Sequence, residues 1–134
     1  MRIALSLFFI LPAISLHAQQ QYKVAVVAFY NLENFYDTID NPVVNDDDFT
    51  PGGARNYNSK IYRDKVQHLA TVLSQMGTDI NPDGPAIIGV AEIENDTVLN
   101  DLIHHPLLRS RNYKVVPYDS HDLRGVDVAL LYNP

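Results

Sequence analysis

Glu92 ends the apolar run Ala86-Ile87-Ile88-Gly89-Val90-Ala91, which reads as a buried strand. A carboxylate in that position is costly unless it has a partner or a cation. A second apolar run, residues 24–29, ends in Tyr30-Asn31-Leu32-Glu33-Asn34-Phe35. Two buried strands would therefore each deliver polar groups at their C-terminal ends. Parallel neighbours in a sheet lie ~4.8 Å apart, so the two ends could build one site. A hard-cation site is the economical reading, because Mg2+ takes oxygen from one or two carboxylates and completes its shell with substrate phosphate.

Other residues invite chemistry less directly. Glu94 lies two residues past Glu92 and reads as a solvated loop residue. Asp46-Asp47-Asp48 lacks the alternating ligands and glycine of an EF-hand loop and reads as a solvated acidic loop. Asn95-Asp96-Thr97 matches a glycosylation sequon, a pattern that would carry little meaning if the protein were bacterial. His68 falls in a helical stretch and is expected to be half-buried, while His104 and His105 are adjacent and would point apart. His121, in Asp119-Ser120-His121-Asp122, has the look of a catalytic Asp-His pair. Arg124 offers a guanidinium suited to phosphate oxygens; the alternative is a structural partner for Asp122 or Asp127.

The elements that must hold these groups alternate. Residues 23–29 form a first strand, followed by a long polar connection over 34–57 that contains Pro42, Pro51, Gly52 and Gly53. The spacing of Tyr62, Val66, Leu69, Ala70, Leu73 and Met76 predicts an amphipathic helix over 59–76, stopped by Gly77. A turn at 81–85 leads to a strand over 86–93. Asp96 is the expected cap of a short helix through Val98, Leu99 and Leu102. Strands over 113–117 and 126–132 follow, joined by a loop with Gly125. Strand, helix, strand, helix, strand, strand is an α/β pattern.

The N-terminus reads as a secretory signal over residues 1–18. Arg2 supplies the positive region, residues 3–16 the apolar region, and Leu16-His17-Ala18 a cleavage site before Gln19. The apolar run is short for a membrane span, which takes ~20 residues, so no stable span is expected after signal removal. With no Cys, neither a lipoprotein anchor nor a disulfide framework is available. A secreted or periplasmic bacterial protein is expected. Ten Lys+Arg stand against 16 Asp+Glu; removing Arg2 leaves 9 against 16, a net charge of −7. A sequence-independent nucleic-acid binder normally presents a basic face, and no such stretch is visible in the sequence.

Residues 23–37 and 85–96 resemble the first two motifs of the endonuclease/exonuclease/phosphatase (DNase I-like) family. Tyr30-Asn31 matches the first, and Ala91-Glu92 the second, with Ala91 where the family pattern has Gln. The segment Asp122-Leu123-Arg124-Gly125-Val126-Asp127-Val128-Ala129-Leu130-Leu131-Tyr132 is similar to the hairpin that follows in secreted bacterial members. The resemblance implies a four-layer α/β/β/α sandwich with mixed sheets, of which residues 19–134 would supply the N-terminal half. It implies a Mg2+- or Mn2+-dependent phosphoesterase, most closely an endonuclease or phosphodiesterase acting on nucleic acid. The fragment alone would then be inactive. On this resemblance Glu92 is a metal ligand and Glu33 a second, Asn31 binds the scissile phosphate and orients neighbouring carboxylates, and Arg124 contacts substrate. It places the general-base histidine late in the domain, which argues against His121. Two alternatives stay open: a non-catalytic or degenerate binding module of the same fold, and a phospholipid or phosphomonoester hydrolase.

Overall fold

The computed structural model describes residues 22–134, so the signal sequence expected over 1–18 lies outside the described residues. Runs rich in β-branched and other apolar residues build four strands: β1 (Val26–Phe35), β2 (Pro85–Ile93), β3 (Lys114–Tyr118) and β4 (Asp127–Tyr132). They form one sheet in the order β1-β2-β4-β3. β1 and β2 run parallel, with Asn31 opposite Ala91; β2–β4 and β3–β4 are antiparallel. The class is therefore α/β, as the alternation of elements predicts, with a mixed sheet, as the family resemblance implies.

A parallel pair needs a crossover, and α1 (Ser59–Gln75) supplies it. Asn58 starts this helix by accepting from the Lys60 and Ile61 N–H groups. The chain leaves α1 at Gly77, whose φ is +66° and whose place for a Cβ is 2.9 Å from Val26 Cγ1, so both conformation and space require glycine. α2 (Asp96–Ile103) begins differently from expectation. Asn95, not Asp96, is the cap: its side-chain oxygen accepts from the Thr97 and Val98 N–H groups.

Both helices cover the same face of the sheet. Val66, Leu69 and Leu73 of α1 and Val98, Leu99 and Leu102 of α2 pack with Leu32, Ile88, Val90, Ala129 and Leu131 in one core. Truncating a fully buried leucine such as Leu73 to alanine should cost ~2–5 kcal/mol.

The sequence reads β1 and β2 as buried strands, but among the described residues only one face of the sheet is covered. Val27 and Phe29 are 69% and 70% exposed, and Val116, Tyr118, Val128 and Leu130 lie exposed on the same side. An apolar run records how strongly a strand favours burial, and two helices suffice for only one face. β1 also extends beyond the expected end at residue 29, through Asn31 to Phe35.

Candidate functional site

The C-terminal ends of β1 and β2 meet as the spacing argument requires, through irregular backbone. The register slips between Asn31 and Phe35 on β1 and between Ala91 and Ile93 on β2. Glu33, Asn34 and Glu92 all take left-handed φ values of 56°, 56° and 59°. Such conformations cost a non-glycine residue ~1–2 kcal/mol, and they cluster here at one spot. What they achieve is convergence. Asn31 Nδ2 donates to Glu92 Oε1 at 3.0 Å, and the Asn34 N–H donates to Glu92 Oε2 at 2.9 Å. The Glu33 N–H donates to Asn31 Oδ1 at 2.7 Å, which fixes the amide so that its nitrogen faces Glu92. Each Glu92 oxygen keeps a lone pair and Asn31 Nδ2 a second N–H. Glu33 is exposed beside this pair.

Two cations border the pair. Lys65 of α1 donates from Nζ to the Glu33 carbonyl at 2.6 Å. Partial burial lowers its pKa, while the Glu33 and Glu92 carboxylates act in the opposite sense. Sequence reading passed over Lys65. Its signal was a lysine on the apolar stripe of α1, three residues after Tyr62 and four before Leu69, where the buried face meets the strand ends. Arg124 holds Asp122 as a fork, Nη2 to Oδ2 at 2.7 Å and Nε to Oδ1 at 3.1 Å, and reaches Asn34 Oδ1 with Nη1 at 3.4 Å. The hydrogen bonds and charge of Arg124 lower the Asp122 pKa. Tyr36, whose hydroxyl donates to the Arg124 carbonyl at 2.8 Å, has its pKa pushed up to about 12, mainly by burial.

Several expectations need correction. Asp127 does not pair with Arg124; its Oδ1 accepts from the Ser120 N–H at 2.7 Å and shapes the hairpin loop. Glu94 is not a solvated loop residue: it accepts from the Asp37 N–H at 2.6 Å, and burial chiefly raises its pKa to about 7. Asp46 is 2% exposed and accepts from the Asn41 N–H, so only Asp47 and Asp48 of the acidic triplet are solvated. Asn95, read as a sequon residue, uses its side chain on the α2 N-terminus and on Asp37. His68 is exposed on α1, bordering the same depression as Asn31 and Glu33. His121 is exposed in the loop before β4, and His104 Nδ1 lies 2.8 Å from the Asn100 carbonyl on α2.

Among the described residues no group of three or more His, Asp or Glu side chains is arranged to hold a metal ion. The donor set at the strand ends still suits a hard cation, since such an ion needs only one or two carboxylates when substrate and water supply the rest. No match was found among curated proteins or among solved structures. The family model described as "Endonuclease/Exonuclease/phosphatase family" matches residues 26–134, a span that includes every residue of this strand-end site. The chain belongs to the endonuclease/exonuclease/phosphatase family of phosphodiesterase- and nuclease-type hydrolases.

Proposed function

We propose that this chain carries the phosphate- and metal-binding part of a divalent-metal-dependent phosphodiesterase acting on nucleic acid. The observation that carries the reading is the Asn31–Glu92 pair, held by three hydrogen bonds on strained backbone at the ends of two parallel strands. In this reading Glu92, with Glu33 beside it, holds Mg2+ or Mn2+. The ion would supply charge neutralisation at the phosphoryl oxygen and steady the leaving oxygen. Asn31 gives its second Nδ2–H to a non-bridging phosphate oxygen. Arg124, pre-oriented by Asp122, turns its remaining N–H groups to the substrate. Water activation is assigned to a residue outside 22–134, and residues 19–134 are read as one part of the family's four-layer domain. Export to the periplasm or beyond belongs to the same proposal, supported by Arg2, the apolar stretch over 3–16 and Leu16-His17-Ala18.

Hydrolysis of bis-p-nitrophenyl phosphate and of plasmid DNA by the full-length protein, with and without EDTA, tests the reading. Metal-dependent cleavage is expected. Glu92→Ala should lower kcat/KM by several kcal/mol of transition-state stabilisation, recovering little with raised Mg2+. Full activity in EDTA, or in Glu92→Ala, would remove the proposal. Oligonucleotide binding without cleavage would instead favour the non-catalytic module.

A further inference from the structure

Beside the strand-end site, the first turns of α1 and the loop over residues 37–57 enclose a cleft of about 420 Å3. It is bordered by Glu33, Asn34, Phe49, Arg55, Tyr57 and Lys65. Its far wall is aromatic. Phe49 stacks on Tyr36 with centroids 4.1 Å apart and meets Tyr57 edge-on at 5.7 Å. The Arg55 guanidinium lies over the Phe49 ring, 4.7 Å from its centroid. Arg55 is exposed, and its backbone N–H is tied to the Asp48 carbonyl at 3.1 Å. Asp47 and Asp48 border the neighbouring depression, yet the ion pairs among the described residues are Lys60–Asp64 and Arg124–Asp122, so Arg55 has no carboxylate partner. Lys65 spends one of three donors on the Glu33 carbonyl. Three cationic side chains, Arg55, Lys65 and Arg124, thus surround Asn34 on a chain whose net charge is −6.

We propose that this cleft is a nucleotide subsite that holds the unit next to the reactive phosphate in a single-stranded or unstacked nucleic acid. Arg55 takes the flanking phosphate, with Lys65 behind it, and the base lies against the guanidinium plane that Phe49 holds in place. An unpaired guanidinium on an aromatic ring offers both features such a unit needs: a cation for the phosphate and a flat, polarisable surface for the base. A lipid head group would use the charge but leave the flat surface idle. The inference rests on the phosphodiesterase reading for the position of the reactive phosphate, but its test is a binding measurement.

Fluorescence anisotropy of a labelled single-stranded oligonucleotide of about 12 nucleotides, with full-length protein in Ca2+, reads the subsite. Arg55→Ala should raise Kd about tenfold and make the slope of log binding constant against log salt shallower by about 0.7, one phosphate contact on a single strand. Arg55→Lys should restore the slope but not the full affinity, since it returns the charge without the plane. In wild type an abasic oligomer of equal length should bind at least about fivefold more weakly. Melting temperatures of the variants should match wild type, because Arg55 is at the surface. An Arg55→Ala Kd within about twofold of wild type with unchanged slope overturns the subsite. So does equal binding of the abasic oligomer, or a loss confined to anionic phospholipid vesicles. Failure of bis-p-nitrophenyl phosphate hydrolysis would strike the catalytic reading alone.

Discussion

At the residue scale, the site is defined by what Glu92 and Asn31 do to each other. A carboxylate that accepts from one side-chain and one backbone N–H is held in a single orientation, the preorganisation that the proposed role as a cation ligand calls for. The left-handed backbone at Glu33, Asn34 and Glu92 is the cost of that orientation. Glu33→Gly tests it: stability should be unchanged or rise by up to ~1 kcal/mol in urea denaturation, where the same change in a regular strand would cost roughly 0.5–1 kcal/mol. A loss above ~1 kcal/mol would mean that Glu33 is not strained. His121→Ala should hydrolyse substrate at close to the wild-type rate, because the ring is exposed and forms no hydrogen bond with the strand ends. An inactive His121→Ala enzyme beside an active Glu92→Ala enzyme would reverse the assignment of roles.

At the element scale, β1, β2 and the start of α2 form one mechanical unit. Glu94 accepts from Asp37 just after β1, its backbone N–H donates to the Phe35 carbonyl, and Asn95 donates to Asp37 while capping α2. The loop after β1 is therefore pinned to the end of β2, which keeps the Asn31–Glu92 contact in register. Asn95→Ala should destabilise by about 1 kcal/mol or somewhat more, since it removes a helix cap and the tie to Asp37 together. Asp96→Ala should cost less. Paired denaturant titrations give both values, and equal costs would show that the cap is shared.

At the scale of the whole molecule, acidic net charge and a local cluster of cations coexist. Among the described residues Arg55, Lys65 and Arg124 are the cations that line the depressions around Asn34, so few phosphates can be neutralised there. The salt slope for single-stranded nucleic acid should therefore be shallow, near −2 for three contacts at ~0.7 each. A slope steeper than about −4 would imply a basic surface elsewhere that dominates binding. The sheet face carrying Val27, Phe29, Val116 and Tyr118 is the other molecular-scale feature: the described residues leave it uncovered, although its composition is that of a buried layer.

The sequence by itself determined the order of elements, the helix from residue 59 to within one residue of its end, and the meeting of two strand ends that carry Glu92 and a set of polar groups, from which the family resemblance picked out Asn31. Periodicity and strand-end polarity are local properties, and local properties can be read along a chain. Only the tertiary structure decided which polar groups serve the site. Arg124 turned to Asp122 and Asn34 rather than Asp127, Glu94 went inward to Asp37, and Lys65 and Arg55 arrived from a helix and a loop far from either motif. Those choices depend on where backbone N–H groups and aromatic rings come to lie after the crossover through α1. Net charge, a sum over the whole chain, carries no record of that placement.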